Sequence, residues 1–269
     1  MSIWKLTRVP EPEVMDDAGE VESYNSGAAA RHLDAIDNTF VAHLLRLLPK
    51  PQFSPTETSE RTEGTERTER TERTEKTEFR ATRSFYCGLD VGTGPGQIPV
   101  KILARLPHLR FVGLDRSPNM LAQARQNAES AGVADRLRCL VADGRALPFP
   151  DHFFSIVTCN SVLHHARSPV DLLREIFRVA APGAPVLIRD LRRPARPFLA
   201  WHLWRHGRYY SGLMRQLFND SVRAAYTLDE LQDFLHQARM PEAQVFRFRG
   251  AHIGIERPSC SYHARASRP

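Results

Sequence analysis

The stretch Leu89-Asp90-Val91-Gly92-Thr93-Gly94-Pro95-Gly96 sets the tightest constraint on how this chain can fold. An apolar run carries an acid into a turn dense in glycine, and a second apolar run, Phe111-Val112-Gly113-Leu114, ends on Asp115. A strand, a turn that lets backbone approach a ligand closely, a helix and a second strand closing on an acid describe a nucleoside site at the edge of a parallel sheet. The later signals alternate in the same sense. Ile98 to Leu106 reads as a helix with Pro99 in its first turn. Ser117-Pro118 is an N-cap followed by proline at the first helical position, for a helix that runs to Ser130 and stops at Gly132. Leu137 to Asp143 and Phe154 to Asn160 read as strands, Ser168 caps a helix to Val179, and Val186 to Asp190 is a fifth strand. Thr227-Leu228-Asp229-Glu230 is a capping box before a helix ending near Arg239, and Val245 to Arg249 with His252 to Glu256 reads as a terminal strand pair. The expected class is α/β: a Rossmann-like, doubly wound, mostly parallel seven-stranded sheet with helices on both faces.

Spacing bears on which nucleoside. A dinucleotide loop is G-x-G-x-x-G, because a pyrophosphate sits on the helix N-terminus, whereas Gly92, Gly94 and Gly96 follow G-x-G-x-G directly after an acid. Asp90 repels a phosphate and favours a cation: at 4 Å and an effective dielectric near 20, opposite unit charges attract by roughly 4 kcal/mol before desolvation is counted. S-adenosylmethionine carries an ammonium and a sulfonium and no phosphate. Asp115 is placed to accept from both ribose hydroxyls, as the acid in that position also does for NAD. Strand ends of such a sheet collect at one edge, so Asp90, Asp115, Asp143, Asn160 and Asp190 are expected to cluster there.

From about Phe85 to Asp190 the chain resembles the class I S-adenosylmethionine-dependent methyltransferases, in the type 11 group that includes the ubiquinone/menaquinone-biosynthesis C-methyltransferases. The resemblance rests on the glycine loop, on Val141-Ala142-Asp143-Gly144, on Leu147-Pro148-Phe149-Pro150-Asp151, and on Asn160-Ser161-Val162-Leu163-His164-His165, in that order. It implies a cofactor site made of Asp90, Gly92, Thr93, Gly94, Gly96, Asp115, Arg116, Met120, Asp143, Gly144 and Asn160. Within it Asp143 would bond the adenine amino group beside the Gly144 backbone, and Met120 would lie against the adenine ring. Arg116 would be a neighbour of the ribose acid or a substitute contact, and Tyr24 would cover the methionine end. The last strand pair would include one antiparallel strand. His164 and His165 follow the fourth strand, beside the expected methyl, and are the candidates for a general base. The chain departs from the pattern at Ser155 and at Ala184, where the family commonly has Asp and Gly.

Motifs that are missing narrow the acceptor. No N-P-P-Y or D-P-P-Y follows the fourth strand, Cys159 is flanked by Thr158 and Asn160 rather than by proline, and no acidic ladder for a divalent metal is found. A small organic acceptor, aromatic or quinone-like, is the leading reading, with no metal. Charge supplies the alternative. The net +6 sits late in the chain, and Arg189 to Tyr210 contains six arginines with Trp201, Trp204, Tyr209 and Tyr210. That composition suits RNA, an anionic lipid surface or an acidic substrate, and equally a solvated helix. An RNA or protein methyltransferase is therefore the second reading, with nucleic acid the less favoured partner, and a non-catalytic cofactor-binding partner subunit the third.

A length of 269 residues with 42% hydrophobic content suits one catalytic domain with room for extra segments. Residues 1–53 read as an N-terminal helical cap, with Leu33, Ile36, Phe40, Leu44, Leu45 and Leu48 at helical spacing. Residues 54–83 are an Arg-Thr-Glu repeat with no core-forming pattern, expected to be disordered. The methyltransferase domain spans 84–256, with 191–226 as an acceptor lid, and 257–269 is a tail. No apolar run reaches bilayer length and the start lacks the core of a signal peptide; with four cysteines and no C-x-x-C pair, a cytoplasmic setting is expected.

Overall fold

The structure, a computed structural model, describes residues 4–11, 19, 27–49, 87–240 and 242–259. The repeat, Tyr24, Cys260 and the tail beyond 259 lie outside the described residues.

One seven-stranded sheet organises the chain. Its strands are β1 (Cys87–Val91), β2 (Arg110–Asp115), β3 (Leu137–Val141), β4 (Ile156–Asn160), β5 (Val186–Leu191), β6 (Gln244–Phe248) and β7 (His252–Arg257), in the order β3-β2-β1-β4-β5-β7-β6. The first five run parallel, while β7 is antiparallel to both β5 and β6. Between and around them lie α1 (Gly27–Leu47), α2 (Gln97–Arg105), α3 (Pro118–Ser130), α4 (Pro169–Val179), α5 (Leu199–Gly207), α6 (Gly212–Ala224) and α7 (Leu228–Ala238).

Two-residue alternation decides which helices lie on which face. Leu89, Val91, Val112, Leu114, Val157, Cys159, Val186 and Ile188 point to the side where Leu172, Ile176, Leu231 and Leu235 of α4 and α7 pack. Phe111, Ile156 and Leu187 point to the other side, against Phe40 and Leu44 of α1, Ile98 and Ile102 of α2, and Ala128 of α3. Crossovers on opposite sides of β1 leave a crevice at the carboxyl ends of β1 and β4, the topological switch point.

Local chemistry sets the boundaries. Ser117 Oγ accepts the Met120 N–H (3.1 Å) at the head of α3, and Thr227 and Glu230 close the expected capping box on α7. Ser168 makes no side-chain cap, its hydroxyl turning to Asp171 instead. β3 stops at Val141, before Asp143, because Asp143 Oδ1 accepts the Arg145 N–H (2.9 Å) in a tight turn that leaves the ladder. No described helix is long and apolar enough to cross a membrane.

Candidate functional site

A cleft of about 780 Å³ opens where the carboxyl ends of β1, β2 and β4 meet the face of α1. Asp90, Gly92, Thr93, Gly94, Asp115, Arg116, Met120, Asp143, Gly144, Asn160 and His165 all border it, so the sheet brings together residues far apart in sequence.

The glycine loop is held by its own protein. Gly92 and Gly96 take φ of +67° and +75°; a Cβ on Gly92 would meet Val162 at 2.3 Å and one on Gly96 would meet Ala124 of α3 at 2.9 Å. Gly96 thus lets α3 approach rather than walling the cleft. The loop amides have internal acceptors: Thr93 N–H donates to Leu114 O (2.8 Å), Gly94 N–H to Asp115 Oδ2 (2.8 Å) and Gly96 N–H to Thr93 O (3.0 Å). Asp115 also takes the Ser117 N–H on Oδ1 (2.9 Å), which joins the loop to the head of α3. A pyrophosphate-binding loop needs such amides pointing at its ligand, and here a carboxylate occupies one of them.

Asp90 is almost fully buried and accepts from Thr158 Oγ1 (2.7 Å). Burial pushes its carboxyl up to about 7, with the Thr158 hydroxyl opposing. Its charge at neutral pH is therefore poised, where the sequence suggested a permanent carboxylate. Asp143 is the reverse: hydrogen bonds from the Arg145 guanidinium hold it down at about 2, with Arg145 Nη2 2.7 Å from Oδ2. Asn160 Oδ1 receives a long bond from Arg189 Nε (3.3 Å), and Met120 is buried on the cleft wall.

The two histidines separate. His165 borders the cleft, whereas His164 is buried behind it and does not. His164 Nδ1 donates to Asp190 Oδ1 (2.6 Å) and its backbone N–H to Asp190 Oδ2 (2.9 Å). Burial disfavours the imidazolium, yet Asp190 outweighs it and raises the His164 pKa, while His164 in turn holds Asp190 below the usual carboxylate range against its own burial. Asp190 consequently does not join the strand-end acids at the cleft, and His164 pairs with it behind the cleft wall. The physical reason is register: β5 continues past the point where β4 ends, so its terminal acid pairs with the turn Leu163–His165 that follows β4.

Sequence reasoning missed two charges of the N-terminal segment. Glu11 Oε2 lies 3.4 Å from His165 Nδ1 and 3.6 Å from His164 Nε2, and the three groups offer ligand atoms within 4.8 Å of one another. Burial raises the Glu11 pKa, with His164 opposing. Arg8 from the same segment donates to His164 O (2.6 Å) and Ala224 O (2.6 Å) and stacks over the Tyr226 ring (4.4 Å). Nothing in the periodicity of an irregular proline-flanked segment marks these two charges. The expected N-terminal helix lies at the site: Arg31, Leu33, Asp34 and Asp37 of α1 wall the cleft, and burial pushes Asp37 up to about 7. The described residues 191–226, expected as a lid, contribute no wall to this cleft; α5 and α6 instead gather Tyr210, Met214, Phe218 and Val222 with Leu33 of α1 into a separate cluster.

α1 is fixed over the cleft by Arg189. Its guanidinium, 1% exposed, donates to Thr39 Oγ1 (2.8 Å) and Ile36 O (3.1 Å) and lies 4.9 Å from the Phe40 ring centre. Arg193 is buried too, donating to Ala225 O (2.7 Å) and to both Glu230 oxygens (2.6 and 2.8 Å). The arginine-rich stretch is thus not one continuous basic surface, and two of its six arginines hold the fold together.

A family model described as a methyltransferase domain matches residues 89–188. The chain is 30% identical over 150 residues to the ubiquinone/menaquinone biosynthesis C-methyltransferase UbiE of Cereibacter sphaeroides, covering 55% of this chain and 60% of that protein. It is 37% identical over 108 residues to the demethylmenaquinone methyltransferase of Thermus thermophilus, covering 40% and 48%. The chain thus spans less than two thirds of the length of these relatives. Among solved structures, the plantazolicin methyltransferase BpumL, in complex with a triazolic desmethylPZN analog and SAH, matches with a TM-score of 0.50 at 15% identity over 64% of this chain and 75% of that one, a likeness of fold.

Proposed function

We infer, from the premise that residues 89–188 form a methyltransferase domain of the class I S-adenosylmethionine-dependent kind, that this protein is an enzyme moving a methyl group to a small, quinone-like organic acceptor. The observation that carries the cofactor assignment is the loop whose Thr93, Gly94 and Gly96 amides are already bonded within the protein and which is flanked by Asp90 and Asp115. That environment suits a cationic, phosphate-free adenosine compound and not a pyrophosphate. The Asp115 carboxylate, which takes the Gly94 and Ser117 amides, borders the cleft where the two ribose hydroxyls of such a compound would reach it. Met120 offers the adenine an apolar wall, Asp143 and Gly144 its polar edge, and Asn160 and Asp90 line the methionine side; Arg116 stays at the rim. The bound cofactor supplies an electrophilic methyl on a sulfonium.

The chain's own work is alignment and exclusion of water, and α1 provides much of the cover. Where the acceptor is a phenol or an activated ring carbon, His165 takes its proton at Nε2 while Nδ1 faces Glu11, and His164 supports that arrangement without touching the acceptor. The relatives' names support the quinone-like acceptor, and the reducing cytoplasm suits the free thiols of Cys87, Cys139 and Cys159.

Replacing His165 with glutamine should lower turnover of a demethylquinone by about 100-fold or more with cofactor affinity little changed. Full turnover in that variant removes the base. Turnover abolished by a chelator and restored by zinc would give Glu11, His164 and His165 to a metal ion instead.

Asp90 makes a second test. A cationic ligand prefers the carboxylate, so calorimetric affinity for S-adenosylmethionine should rise by up to about tenfold per pH unit as pH approaches 7 from below, then level off. Asp90→Asn should bind weakly with that slope gone. The raised pKa also means that burying Asp90 costs stability as pH climbs from 3.8 to about 7. The asparagine variant should therefore unfold at higher urea than the parent at pH 8, by on the order of a few kcal/mol. A flat affinity profile in the parent would sink the assignment of Asp90.

A further inference from the structure

All three tryptophans of the chain stand on the outside. Trp4, Trp201 and Trp204 are 59, 56 and 59% exposed, and the Arg196 N–H donates to Trp4 O (3.0 Å), so the N-terminal segment meets the residues leading into α5. α5 is sorted into two faces. Leu199 and Leu203 pack on the Tyr210-Met214-Phe218-Val222 cluster and His202 is buried, whereas Phe198, Trp201, Trp204 and Arg208 recur at three- and four-residue spacing on the open side. Tyr209 and Leu213 extend the exposed apolar surface beyond the helix. An outward face of this size made of aromatic rings marks an interaction site.

Charge identifies the occupant. From Leu191 to Phe218 the sequence holds six arginines and no aspartate or glutamate. Arg193 is internal, but Arg196, Arg208 and Arg215 are exposed and Arg205 is partly so. We propose that this face docks the enzyme on a bilayer carrying anionic headgroups, with the indoles at headgroup depth and the arginines on lipid phosphates. Tryptophan and tyrosine favour that boundary because each joins an apolar ring to a polar handle. A basic surface with no acid in it matches a partner whose charge has one sign everywhere. None of these residues walls the cleft, so the proposal stands apart from the methyl-transfer reading.

The test is sedimentation of the full chain with phosphatidylcholine vesicles, with and without phosphatidylglycerol, while tryptophan emission is recorded. Expected is capture that needs phosphatidylglycerol, weakens with salt, and shifts emission to the blue, since no tryptophan lies elsewhere. Trp201→Ser with Trp204→Ser should lower partitioning about tenfold or more, and Arg205→Glu with Arg208→Glu by a similar factor. Unchanged S-adenosylhomocysteine affinity shows that each variant is folded. Capture by neutral vesicles alone, or undiminished in both variants, overturns the proposal. So does no capture together with a dimer in sedimentation velocity that the tryptophan variant dissociates, which would make the face a protein interface.

Discussion

Replacing Asp115 with alanine is expected to weaken S-adenosylmethionine and S-adenosylhomocysteine binding by at least about 100-fold in calorimetry. Two effects combine. In the proposed site the carboxylate would accept from two ribose hydroxyls, and each hydrogen bond to a charged group contributes about 1.5–3 kcal/mol; two of them already exceed the roughly 2.7 kcal/mol that 100-fold requires. It also anchors the Gly94 and Ser117 amides, so its loss frees the loop and the head of α3 together. Because the loop is at the surface of the cleft rather than in the core, melting temperature should fall far less than affinity does. Binding equal to the parent's would remove Asp115 from the site, and with it the reading of the loop. Tight binding of NAD by the parent protein would replace the cofactor altogether.

The largest effect on stability is expected at another strand-end acid. Asp190→Ala leaves His164 buried without its partner, and breaking a buried pair from one side costs about 3–5 kcal/mol. The pH dependence carries a signature. Asp190 is held below its ordinary 3.8, so its contribution is present above that value and lost as pH falls through its lowered pKa. His164 is held above 6.5, so its contribution is complete below 6.5 and lost as pH rises through its raised pKa. The gap between parent and variant in urea unfolding should therefore be widest between those two ordinary values and narrow on both sides. A gap that is small or independent of pH would mean that the pair is not charged in the folded protein.

Asp115 and Asp190 look alike in sequence: each closes an apolar run, and each belongs to the row of acids expected at one sheet edge. Asp115 was legible because β1, the loop, α2 and β2 are contiguous, so a short-range pattern of alternation and glycine specifies where its carboxylate goes. Asp190 was not, because its partner is set by how far β5 outruns β4 and by the turn that brings His164 back over it. The same limit applies to Arg189 and Arg193, which composition places on a basic surface and packing places inside. It applies also to Glu11 and Arg8, whose role depends on a segment with no periodicity of its own reaching the loop after β4.

The amino-acid pattern by itself determined the doubly wound sheet, the position of its crevice and eleven of the residues that border it. Those follow from periodicity and turn chemistry, which act over a few residues. The tertiary structure alone decided which of two adjacent histidines faces the cleft, which side chains of α1 wall it and which arginines remain on the surface. Those depend on strand register and on side chains that meet across large separations in the chain, where no local propensity reaches.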